Sequence, residues 1–214
     1  MTSAVAVVGA GGLGGPIALA VASAGHPVVV FDDDQVELSN LHRQIQFTDA
    51  ERGGAKAGLL AARVVAGGGA ATARLERFTA ATVVDVAAIV DGSDHAPTKF
   101  AVAAWARRRR IPYVIAAAVG YGGNVFAAGP DDACYACLFE APPDEAPGCD
   151  QAGVLGPLVG WIGGVAAQAV IARVTAPGAW PGASIWVLDD LRRGGAPRTL
   201  ALTPRADCAC RSTP

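Results

Sequence analysis

The sequence predicts an α/β fold, a mainly parallel doubly wound sheet with antiparallel strands towards the C-terminal end. Three observations carry this. Short apolar runs alternate with helix-length segments from residue 5 to residue 117, the rhythm of right-handed βαβ crossovers. Only 17% of the residues are charged, which suits a sheet covered on both faces. The first apolar run is followed by G-x-G-x-x-G, which makes the opening Rossmann-like. At 214 residues the chain reads as one domain, 1–214, with enough length for a full α/β core.

The elements follow in order. Val5–Val8 reads as a buried parallel strand. Gly9, Gly11 and Gly14 then supply the glycine turn, and 16–24 a helix. Val28–Phe31 is the second strand and ends at Asp32. A polar loop over 32–47 leads to a helix over 50–65, and a third strand spans 71–77. Residues 80–87 read as a short helix. A strand from Ala88 then runs into the DGSD segment at 91–94, with a helix at 97–109 and a strand at 113–117 beyond it. The pattern changes after Val119. A glycine-containing strand at 121–128 precedes a turn at 134–137, and 141–148 is a Pro- and acid-rich loop expected to be mobile. Residues 154–174 form one apolar helix, and 184–189 with 198–202 a final antiparallel pair. There is no internal repeat, low-complexity tract or linker.

A net charge of -2 asks for neither nucleic acid nor an anionic membrane. Residues 3–31 lack Asp, Glu, Lys and Arg, yet they have no basic n-region and break into strand, glycine turn and helix. They are read as neither signal peptide nor membrane span, and the expected compartment is the cytoplasm. The arginine run 107–110 falls at a helix end, where cations suit the dipole, and is read as a solvated end.

The chemistry-bearing groups cluster after the glycine turn. Backbone N–H groups at a helix start hold phosphate, and Asp32 is placed for ribose hydroxyls. Asp34 is a candidate for a metal or supporting role, and Asp33 for a solvated turn. Arg43 and Lys56 are the cations that can stabilise charge building on phosphoryl oxygens when a carboxylate attacks the α-phosphate of ATP. Asp94 can hold Mg²⁺ against phosphates or cap the helix before Pro97, and His95 either touches the nucleotide or is incidental. Cys134 and Cys137 with Cys208 and Cys210 offer four thiolates, the set for a tetrahedral structural Zn²⁺, with redox or unligated thiols as the alternative. Cys149 is left over, either reactive or inert.

GAGGLG at 9–14, DDDQVELSNLHRQ at 32–44, Lys56, DGSD at 91–94, CYAC at 134–137 and CDQAGVLGPLVGWIG at 149–163 together resemble the ThiF/MoeB/HesA family, prokaryotic relatives of ubiquitin-activating enzymes. DDDQV, RQIQF and AVGYGG at 118–123 look closer to the ThiF side. The resemblance implies that ATP adenylates the C-terminal Gly carboxylate of a small ubiquitin-like sulfur-carrier protein, ThiS- or MoaD-like. The acyl-adenylate then becomes a thiocarboxylate, on the ThiF side for thiazole synthesis in thiamine production. It implies a nucleotide and magnesium site from Gly12, Asp32, Ser39, Asn40, Leu41, His42, Arg43, Lys56, Asp94 and His95. It also implies zinc on the paired cysteines, a persulfide sulfur donor, a sulfur-linking role for Cys149, and a homodimer. The sequence departs from the family pattern in three places. His95 stands where Asn is usual, the second cysteine pair is C-x-C, and the first strand begins almost at Met1. A helical segment before that strand usually gives an arginine to the partner's site, and here that arginine is expected to be absent or replaced.

Three rivals remain from sequence: adenylation of a carrier from another pathway, an NAD-dependent oxidoreductase sharing the glycine turn, and a non-catalytic binding member of the family. No hydride-transfer dyad accompanies the glycines, and SNLHRQ serves no purpose in a dehydrogenase.

Overall fold

The computed structural model describes residues 4–142 and 153–210 apart from 177, 181, 195 and 209. Strands β1 (Val5–Val8), β2 (Val28–Phe31), β3 (Ala71–Arg74), β4 (Ala88–Asp91), β5 (Tyr113–Val119), β6 (Gly122–Ala128), β7 (Ser184–Leu188) and β8 (Arg198–Ala201) form one sheet in the order β3-β2-β1-β4-β5-β6-β7-β8. Pairing is parallel from β3 to β5 and antiparallel from β5 to β8. The strand order reverses between β1 and β2 on one side and β4 on the other. In open sheets that crevice, at the carboxyl ends of the strands, is where ligands bind.

Helices α1 (Gly14–Ser23), α2 (Lys56–Ala66) and α5 (Gly156–Thr175) pack on one face, while α3 (Ala96–Arg108) and the short α4 (Tyr135–Phe139) lie against the other. Strand residues alternate between the two cores. Val5, Val7 and Val90 face the first, and Ala6, Ile89 and Ile115 the second. By length and hydropathy α5 passes for a membrane span, but Leu158, Ile162, Ala166 and Val170 are buried in the first core.

Several expectations need correction. The second helix begins at Lys56, not residue 50. A 3₁₀ turn, Asp49–Glu51, is closed by a capping box between Thr48 and Glu51, and Gly53 (φ 80°) then turns the chain. β3 stops at Arg74. Residues 80–87 are not helical: after a turn at Thr79–Thr82, Val84 and Val86 tuck inward at an extended period of two. The 134–137 turn continues as α4. The 141–148 loop and Cys149 lie largely or wholly outside the described residues. The arginine run does end the helix in solvent, with Arg108, Arg109 and Arg110 exposed, and it is also anchored. Arg107 bonds the carbonyls of Asp132 and Cys210, Arg108 that of Ala80 and Arg109 that of Val84, while Arg110 pairs with Asp131.

Candidate functional site

Val8, the last residue of β1, leads into Gly9 at φ 87°, and a Cβ there would lie 2.9 Å from the Ser93 nitrogen. A Cβ on Gly14 would lie on the Gly9 carbonyl oxygen. The turn is therefore pressed against its own helix and against the loop after β4, and only glycine fits. The Asp32 carboxylate spans the crevice, accepting from Ala10 N at 2.6 Å and from Asp34 N at 2.8 Å. Burial pushes its pKa up, and those two N–H bonds and Lys56 pull it back.

Lys56, 5% exposed at the start of α2, donates from Nζ to Asp34 Oδ2 at 3.0 Å. Gln46 Nε2 donates to the carbonyls of Ala10 (2.8 Å) and Gly11 (2.9 Å), so the polar loop grips the glycine turn from behind.

A cavity of about 520 Å³ opens at the crevice. Gly9, Gly11, Gly12, Asp32, Asp34, Arg43, Lys56, Asp94 and His95 all line it. Gly14, Ser39, Asn40, Leu41 and His42 do not. Asn40 is buried, its carbonyl accepting from the Arg43 and Gln44 amides, so this stretch shapes the loop that carries Arg43. Asp94 sits three residues past the end of β4 rather than on it, and the N-cap of α3 is His95, without a side-chain cap bond. His95 Nδ1 lies 2.9 Å from Thr98 Oγ1.

Sequence reasoning missed Gln44, Lys99 and Asn124, which also line the cavity. Among the described residues, Gln44 Oε1 and Asn124 Oδ1 are buried with no protein partner. The signal for Gln44 was its place beside Arg43; Asn124, inside a glycine-rich strand, gave none.

Away from the cavity, Cys134 at the N-cap of α4 approaches Cys208 at 3.6 Å and Cys137 at 3.8 Å, and Cys137 approaches Cys210 at 3.5 Å. All four sulfurs lie within 4.8 Å of one another. Sulfurs on a tetrahedral zinc with bonds of about 2.3 Å stand roughly 3.8 Å apart, so the donor set and spacing fit that ion. The Arg205 amide points at Cys137 Sγ (3.4 Å), a supporting bond of the sort that orients metal ligands.

Residues 1–210 match the model of the ThiF family. The chain belongs to the ThiF family. It is 35% identical over 214 residues to the adenylyltransferase and sulfurtransferase MOCS3 of Caenorhabditis briggsae, covering 95% of this chain and 53% of that protein. It is 40% identical over 174 residues to the SAMP-activating enzyme E1 of Haloferax volcanii, covering 76% of this chain and 64% of that protein. With the sulfur carrier protein ThiS adenylyltransferase of Escherichia coli it shares 35% over 172 residues, 76% of this chain and 68% of that one. The chain thus spans between about a third and two thirds of the length of the curated relatives it matches. Among solved structures, E. coli MccB with MccA superposes with a TM-score of 0.79 at 18% identity, over 97% of this chain and 66% of MccB, which shows a shared fold.

Proposed function

We propose that this ThiF-family chain adenylates the C-terminal Gly carboxylate of a small ubiquitin-like sulfur-carrier protein with ATP. The observation that carries the reading is the convergence of Gly9, Gly11, Gly12, Asp32, Arg43, Lys56 and Asp94 on one cavity at the crevice. Its polar rim matches ATP group by group. The glycine turn takes phosphate on backbone N–H groups, and the Asp32 carboxylate accepts ribose hydroxyls. Arg43 and Lys56 stabilise the charge that grows on the phosphoryl oxygens as the carboxylate attacks and pyrophosphate leaves. Asp94 is the group to hold Mg²⁺, which would neutralise phosphate charge. The four cysteines hold Zn²⁺ as a structural tie between α4 and the tail.

The carrier we assign is ThiS-like, with the adenylate passing on to a thiocarboxylate for thiamine; a persulfide supplies the sulfur and Cys149 joins the carrier to it. The chain works in the cytoplasm as a homodimer. The MOCS3 and SAMP-activating relatives, as similar as the ThiS enzyme, favour a second reading in which a MoaD-like or other carrier is adenylated at the same site. Carrier-dependent ATP–pyrophosphate exchange separates them. A ThiS-like carrier is expected to give the largest kcat/KM; preference for a MoaD-like protein supports the second reading, and no exchange with any carrier refutes adenylation.

A further inference from the structure

At the cavity wall lies a buried ion pair, Lys99 with Asp91, to which the adenylation reading gives no role. Asp91, fully buried at the end of β4, faces Lys99 from the second turn of α3, itself 7% exposed. Lys99 Nζ donates to Asp91 Oδ2 (2.7 Å), to the Ser93 carbonyl (2.7 Å) and to the Ala116 carbonyl of β5 (2.8 Å). An ammonium has three donors, and all three are spent. The second carboxylate oxygen, Asp91 Oδ1, accepts from Ser93 Oγ at 2.7 Å. Ser93 is thus held from both sides. It is also the residue whose nitrogen sits against Gly9, while the Gly92 nitrogen donates to the Val8 carbonyl at 2.8 Å and a Cβ on Gly92 would meet the Gly14 nitrogen.

We infer that Lys99 is a positioning residue: through Asp91 and Ser93 it fixes the 92–94 loop, and with it both the seat of the glycine turn and the presentation of Asp94 to the cavity. Although Lys99 lines the cavity, it has no donor left for a ligand unless it abandons a buried acceptor, so it acts through its neighbours. Burying a charged pair is a poor way to gain stability, since its desolvation offsets most of the attraction. What the pair supplies is three fixed directions at one point, joining β4, the loop and β5. The consequence for rate rests on the adenylation reading; the consequence for the loop does not.

Lys99→Met alone would strand a buried carboxylate and unfold the chain, so the test is the double variant Asp91→Asn/Lys99→Met, near-isosteric and uncharged. It is expected to melt cooperatively with its zinc content unchanged. Hydrogen exchange at the amides of 9–12 and 92–95 should quicken by roughly tenfold or more while α2 and β7 keep their protection. Carrier-dependent pyrophosphate exchange should lose roughly ten- to a hundredfold in kcat, the scale for displaced reacting groups. Unchanged amide protection in the folded double variant overturns the inference, as does unfolding of that variant with no folded population, which would make the pair a stability element. Unchanged kcat with loosened amides overturns the catalytic half. An inert wild-type chain refutes adenylation and leaves the amide measurement to decide the loop.

Discussion

The parallel half of the sheet, β3 to β5, and the antiparallel half, β6 to β8, solve the same problem by different means. The first is built from βαβ units at β1–β2, β2–β3 and β4–β5, joined between β3 and β4 by the non-helical 75–87, and most of its charged cavity residues come from the segments that follow β1, β2 and β4. The second is held by partners far apart in sequence: Cys134 meets Cys208 across 74 positions, and Arg107 reaches the Cys210 carbonyl across 103. Local construction sets most of the charged groups of the site, and Asn124 of β6 and Val159 of α5 complete its lining. Long-range construction needs a staple, because closing a long loop costs entropy that a few β-pairs repay poorly.

The sharpest way to break the first half is steric. Gly14→Ala places a methyl carbon on the Gly9 carbonyl oxygen, a backbone group that cannot swing aside as a side chain could. The expected cost is about 3 kcal/mol or more, the upper range for overpacking, read as a fall in melting temperature or loss of soluble protein. Wild-type stability in that variant would mean the turn is not seated as described.

Next comes chemistry in a half that stays folded. Arg43→Ala and Lys56→Met are each expected to slow pyrophosphate exchange by roughly a hundredfold or more. Melting should shift little for Arg43. For Lys56 the loss of its 3.0 Å pairing with the exposed Asp34 adds a small destabilisation. Exchange at the wild-type rate in both would end the adenylation reading.

A smaller effect, confined to the other half, follows from the cysteines. Cys208→Ser, or stripping with a chelator, should remove about one zinc per chain and lower the melting temperature by roughly 10 °C, at a few degrees per kcal/mol for a chain of this size. Proteolysis should quicken first near 134–142 and 198–208. Equal loosening of β1 to β4 would erase the contrast between the halves.

The two halves also differ in how much of them could be read from sequence. Glycine spacing, Asp32 and the alternation of apolar runs are local signals, and the structure places β1, β2 and the crevice where those signals do. The errors arose where a local signal had a tertiary rival. Residues 80–87 carry helix-compatible alanines, but Val84 and Val86 gain more by packing under α3. Residues 50–55 carry Ala, Glu and Arg, but Gly53 and Gly54 end that run. SNLHR marks a nucleotide loop, yet which of its side chains face the cavity depends on how the loop folds back, and only Arg43 does. The Lys99–Asp91 pair was illegible because nothing in the spacing says that both are buried.

The smallest expected effect on adenylation is at Cys149, which lies outside the described residues and so rests on sequence alone. The other four cysteines come together in the sulfur cluster, and on the proposed reading Cys149 is the thiol left for covalent work. It falls in 143–152, joining α4 to α5, and α5 begins where a Cβ on Gly156 would touch the His42 carbonyl, next to Arg43. Val154, two residues beyond that segment, lines the cavity. Adenylation needs only the crevice residues, so Cys149→Ser should leave pyrophosphate exchange within about twofold of wild type, the scatter expected for a change away from the stabilising charges. On the proposed reading the outer sulfur of a Cys149 persulfide displaces AMP from the acyl-adenylate, and a thiol reductant then cleaves the S–S bond to release the thiocarboxylate, so thiocarboxylate formation, followed by the intact mass of the carrier, should fall steeply. Loss of both activities in a folded variant would give Cys149 a structural role. Normal thiocarboxylate formation would remove it from the mechanism and favour a carrier that receives sulfur from a separate persulfide.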